Sequence, residues 1–160
     1  FCGDLGVPFA AAAWLLAVIG VADLIGTTGS GWLADRYDNR WLLTIYYGFR
    51  GVSLVWLISS NPSYAALTIF AVIYGLDFIA TVPPTVKLTI SKFGREIGPA
   101  IFGWIFASHH VAAGLMTVVA GVSRDFIGSY VPSFLFAGIA CFLAAVSFYF
   151  VKIRDLTPKR

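Results

Sequence analysis

Residues Gly31-Trp32-Leu33-Ala34-Asp35-Arg36-Tyr37-Asp38-Asn39-Arg40 place a glycine, an Asp-Arg pair and a second arginine between two long apolar runs. Each flanking run is long enough to cross a bilayer, so the stretch reads as a short polar turn at a membrane face. The rest of the chain is oriented from it.

Of the 160 residues, 59% are hydrophobic and 12% charged. A soluble domain carries about a quarter charged residues, so this chain has too little polar surface to coat a globule. The fold class expected is an all-α integral membrane protein. Its five spans are expected at about 9–33, 41–59, 64–86, 99–122 and 131–151, each near the ~20 residues that a hydrocarbon core requires. Pro83-Pro84 mark the end of the third span, and a polar connection from Lys87 to Gly98 leads to a fourth span opening at Pro99. Phe1 to Pro8 read as a short loop, and Asn61-Pro62-Ser63 as a turn.

The formal charge of +3 is explained by where the bases lie, and nucleic-acid binding is not implied. Arg36 and Arg40, then Lys87, Lys92 and Arg95, then the tail with Lys152, Arg154, Lys159 and Arg160 fall on one side; Arg124 alone falls on the other. The basic side is expected to be cytoplasmic, which puts the N-terminus outside and the C-terminus inside. The chain starts with Phe1, and its one Met is Met116, so it is expected to be a fragment of a longer polypeptide. Cys2 and Cys141 suggest neither a disulfide framework nor a metal motif.

Ionisable groups inside spans are costly and mark candidate sites. Asp23, Arg50 and Asp77 qualify, as do the adjacent His109 and His110 in the fourth span. Arg50 and Asp77 sit at similar depth and could pair, either as a structural ion pair or as an anion anchor and a proton carrier. Neighbouring histidines diverge by ~100° around a helix, so one of the two could face a cavity while the other packs against a neighbour. No metal set, phosphate loop or Ser-His-Asp pattern is present in the sequence, and no cofactor is expected. Ala22, Gly26 and Ser30 form a small-xxx-small ridge suited to close helix approach. Gly31-x-x-x-Asp35 and Gly121-x-x-x-Asp125 hint at a three-helix repeat of inverted topology.

The turn Gly31-x-x-x-Asp35-Arg36-x-x-x-Arg40 resembles the loop motif G-x-x-x-D-[RK]-x-G-x-[RK]-[RK] of the major facilitator superfamily, with Asp38 in place of its glycine and Trp41 in place of a second base. The stretches Tyr74 to Thr85 and Gly103 to His109 are similar to those of bacterial facilitators close to monocarboxylate and oxalate porters. The resemblance implies the last five helices of a twelve-helix transporter in a bacterial inner membrane, an incomplete C-terminal six-helix bundle that lacks the N-terminal helices of the same polypeptide. It also implies alternating-access movement of a small solute, an organic anion among the candidates, with H⁺ as coupling ion and symport or antiport open. Gly31, Asp35, Arg36 and Arg40 would act as a conformational latch, and Asp23 would lie on a cavity-lining helix as the better proton-site candidate. Monocarboxylate porters often carry an Arg one turn beyond such an Asp, where this chain has Thr27. The alternatives are a non-transporting multi-span subunit and an intramembrane enzyme that uses one of the histidines.

Overall fold

The structure is a computed structural model and describes residues 1–60 and 63–150. The expected turn at Asn61-Pro62 and the basic tail from Lys152 to Arg160 lie outside the described residues. Five helices follow in order: α1 (Phe9–Ala34), α2 (Asn39–Ser59), α3 (Tyr64–Asp77), α4 (Val82–Ile127) and α5 (Val131–Phe150). Among the described residues four stretches are long and apolar enough to cross a membrane, 9–34, 39–59, 64–127 and 131–150. The protein is an all-α integral membrane bundle.

Two helix pairs dominate the packing, α1 against α3 and α2 against α5. Small residues set both seams, because apolar lipid gives helices little hydrophobic drive to associate and close backbone approach must supply the attraction. On α1, Ala22 and Ser30 are buried. A Cβ at Gly26 would lie 1.9 Å from the Leu76 carbonyl oxygen, and one at Gly75 would lie 2.8 Å from Ala22 Cβ. The expected ridge is thus the α1–α3 seam. In the second seam a Cβ at Gly51 would come 3.2 Å from the Gly138 carbonyl oxygen and from the Phe142 ring.

The run 64–127 departs from expectation in two places. The third span was expected to reach residue 86 and end at Pro83-Pro84; instead α3 stops at Asp77, and the prolines occupy the first turn of α4. Proline lacks a backbone N–H and has φ fixed near the helical value, so it is tolerated where the first N–H groups have no partner anyway. The expected connection from Lys87 to Gly98 is helical apart from Gly94, whose φ of 81° and ψ of 171° interrupt α4. A continuous helix would set residues 90 and 98 about 12 Å apart, yet a Cβ at Gly98 would lie 2.8 Å from Ile90 Cα. The chain therefore folds back at Gly94 and divides α4 into a first arm (82–93) and a second arm (95–127). Pro99 lies one turn inside the second arm, not at its start.

The loop before α1 is a packed element. Phe1 meets the rings of Tyr130 and Phe134 edge-on, with centroids 6.0 and 5.4 Å apart. Leu5 and Val7 pack on the buried cluster of Leu15, Leu57, Leu67 and Ala71.

Candidate functional site

Between Asp77 and Val82 the backbone leaves the helix, which frees polar groups that lipid cannot satisfy. The side chains of α1 and α2 take them up. Arg50 Nη2 donates to the carbonyl oxygens of Asp77 at 2.5 Å and Phe78 at 3.0 Å. Ser30 Oγ donates to the Ala80 carbonyl at 2.5 Å, and the Ile79 N–H donates to Asp23 Oδ1 at 3.0 Å. The Ile79 carbonyl accepts from the Val82 N–H at 2.9 Å. The break is thus held from two neighbouring helices, whose side chains partner three of its carbonyls and the Ile79 N–H.

Three of the five intramembrane candidates converge here. Arg50 Nε donates to Asp77 Oδ2 at 2.7 Å, and Asp77 is 4% exposed. Asp77 Oδ1 is buried and has no hydrogen-bond partner among the described residues. Asp23 does not bond the pair directly; it grips the break through Ile79 and accepts from Thr27 Oγ1 at 3.1 Å. The threonine that stands one turn beyond the aspartate thus orients that carboxylate. Tyr47 on α2, Tyr74 on α3 and Cys141 on α5 share the electrostatic field of Arg50 and Asp77.

His109 and His110 stand apart from this cluster. Both are exposed on the second arm of α4, with His110 Nδ1 2.9 Å from the Phe106 carbonyl and its ring edge-on to Phe106. No described helix covers this face of α4. Among the described residues no group of His, Cys, Asp and Glu could hold a metal ion.

At the other end of α1, Asp35 forms an ion pair with Lys87 on the first arm of α4. Arg36 lies 3.9 Å over the Trp32 ring. Asp38, which departs from the loop motif, caps α2: its side chain accepts from the Arg40 N–H at 2.9 Å and forks with the Arg40 guanidinium. The Arg40 guanidinium, helped by the bond from the Arg40 N–H, holds the Asp38 carboxyl below its ordinary range. Gly31 leaves open space where a Cβ would stand.

Sequence reasoning names Ser30 only as a small residue and does not assign Asp4 or Lys87 partners. The loop before α1 is tied down by Asp4, which forks with Arg124 at 2.6 and 3.1 Å. A shallow cavity of about 250 Å³ lies beneath this loop, lined by Phe1, Asp4, Leu57, Arg124 and Tyr130. It lies away from the intramembrane charges, and we take the charged break as the candidate site.

A membrane bundle whose interrupted helix is gripped by half-buried charges from its neighbours has the architecture of a secondary transporter, in which discontinuous helices form solute and ion sites. The family model of the Major Facilitator Superfamily matches residues 3–160, and the chain belongs to that family. It is 27% identical over 157 residues to Monocarboxylate transporter 12-B of Danio rerio, covering 94% of this chain and 32% of that protein. It is 32% identical over 137 residues to Monocarboxylate transporter 13 of Rattus norvegicus, covering 84% and 32%. With Multidrug export protein EmrB of Haemophilus influenzae it shares 29% over 126 residues, covering 68% and 24%. The chain spans about a third of the length of the two monocarboxylate transporters and about a quarter of EmrB. No solved structure matches it at the same stringency.

Proposed function

We propose that the protein moves a small organic anion across a membrane by proton-coupled alternating access, and that the break at 78–81 with Asp23, Arg50 and Asp77 is the centre of its solute and proton pathway. The observation that carries this reading is the Arg50 guanidinium at the broken helix. It is an unneutralisable cation at membrane depth, and its Nη1 makes no hydrogen bond among the described residues. Monocarboxylate relatives support an anionic solute, and the EmrB relative keeps a broader substrate range open.

The chain contributes five crossings in this reading, with α3 and the first arm of α4 forming one and the second arm another. The Lys/Arg-rich turns lie on the cytoplasmic side of a bacterial inner membrane, and the loop before α1 lies outside. The Asp35–Lys87 pair serves as the latch that biases which side is open. One of His109 and His110 faces the opposing bundle, which this chain does not supply.

The test is uptake of labelled monocarboxylates into proteoliposomes holding the complete polypeptide, with and without an imposed pH gradient. Gradient-dependent uptake that falls at least tenfold in Arg50→Gln and in Asp23→Asn supports the reading. Flux absent for every anion tried removes the substrate class, and unchanged flux in both variants removes the site. The 160-residue chain alone is expected to be inactive.

A further inference from the structure

Three Arg–Asp pairs occur among the described residues, and the buried one differs from the others. Arg124 reaches both oxygens of Asp4, and Arg40 reaches both oxygens of Asp38. Both of those pairs are partly exposed, where water could have completed the carboxylate. Arg50 reaches only Oδ2 of Asp77, because its Nη2 is turned onto the Asp77 and Phe78 carbonyls. Oδ1 is left buried with no partner, in the surroundings where an unmade hydrogen bond costs most. An unsatisfied buried oxygen in a functional region calls for an occupant.

We propose that Asp77 Oδ1 is the atom that takes up the coupling proton. The proposal rests on the proton-coupled reading above and moves the proton site from α1 to the broken helix. A proton added to Oδ1 from water leaves the Arg50–Oδ2 hydrogen bond in place and changes the charge of the pair from zero to one. The guanidinium does not collapse when its partner is neutralised, since two backbone carbonyls still hold it. Asp23 is less suited to the role: it is only half-buried, and its carboxylate is already engaged by Ile79 and Thr27. The charged and titratable groups that bear on the Arg50–Asp77 pair come from every helix. They are Asp23 across the break on α1, Arg50 and Tyr47 on α2, Tyr74 on α3, His109 on α4, which shares the field of Arg50, and Cys141 on α5. Among them Arg50 is the one cation in direct contact.

Infrared difference spectroscopy of the full polypeptide between acid and alkaline buffer reads the protonated-carboxyl stretch directly. The expected result is a titrating carboxyl band that disappears in Asp77→Asn, persists in Asp23→Asn and moves in frequency in Asp77→Glu. The glutamate variant keeps the carboxyl, so the assignment is decided even where Asp77→Asn fails to fold. A wild-type protein with no titrating band, or a band unmoved by both Asp77 variants, would mean that Oδ1 holds water alone and would overturn the proposal. Uptake that ignores the pH gradient would instead sink proton coupling while leaving the band measurable, so the two failures are distinguishable.

Discussion

The run 64–127 is interrupted twice, and the two interruptions are built on opposite principles. At 78–81 no residue has positive φ, and there is neither glycine nor proline; the break exists because Asp23, Ser30 and Arg50 supply partners from other helices. At Gly94 no such partner is needed, and one glycine in a conformation essentially closed to other residues turns the chain. One interruption is written in tertiary contacts and the other in local stereochemistry. The first should respond to changes far away in sequence, the second only to changes at its own position.

The largest effect is expected at the first interruption. Arg50→Leu leaves Asp77 as an uncompensated buried charge and uncovers two carbonyls, a loss of about 3–5 kcal/mol. Reversible denaturant titration in detergent should show it, and the double change Arg50→Leu, Asp77→Leu should recover much of it by removing both charges. A double variant no better than the single would mean that the bonds to the carbonyls outweigh the ion pair. At Gly94, a change to Ala forces a Cβ into a glycine-only region at about 1–3 kcal/mol. That loss should be the same in the Arg50 background, and a non-additive pair would contradict the independence of the two breaks. Ser30→Ala removes one donor to the break and should cost about 0.6 kcal/mol, the average for hydrogen bonds between membrane helices; no loss at all would mean that Ala80 finds another donor.

The smallest effect concerns the Asp4–Arg124 clasp, which lies outside both interruptions. Its hydrogen bond from Arg124 holds the Asp4 carboxyl below the usual value. The lowered value makes the clasp's contribution fully present above about pH 3.9 and lost as pH falls through the depressed folded value. Protection of residues 1–8 against hydrogen exchange, relative to the intrinsic rate at each pH, should stay flat from neutral pH down to that range and fall below it. Arg124→Gln should abolish the dependence.

The difference between the two interruptions also explains what could be read from residues alone. The apolar runs depend only on local hydropathy, and the Ala22-Gly26-Ser30 ridge depends only on helical spacing, so both were legible. Equal depth brought Arg50 and Asp77 together on paper as well as in the structure. The break itself was hidden, because Asp77-Phe78-Ile79-Ala80-Thr81 contains nothing that forbids a helix locally. Its one signal was Pro83-Pro84, a pair that reads as easily for a helix end as for a helix start. The roles of Ser30 and Thr27 follow from neighbours that no spacing rule names. Lys87, read as part of a polar connection, reaches Asp35 because that connection is helical.

The way the break is satisfied bears on how the chain is made. A helix with all its bonds internal can leave the insertion machinery alone, whereas residues 77–81 would carry bare carbonyls and an N–H into lipid at several kcal/mol each. Ser30, Asp23 and Arg50 all precede the break in the chain, so their helices emerge first from the ribosome. The groups that will cover the third crossing are therefore already in the membrane when it arrives, and α1 and α2 must wait beside the insertion site to receive it.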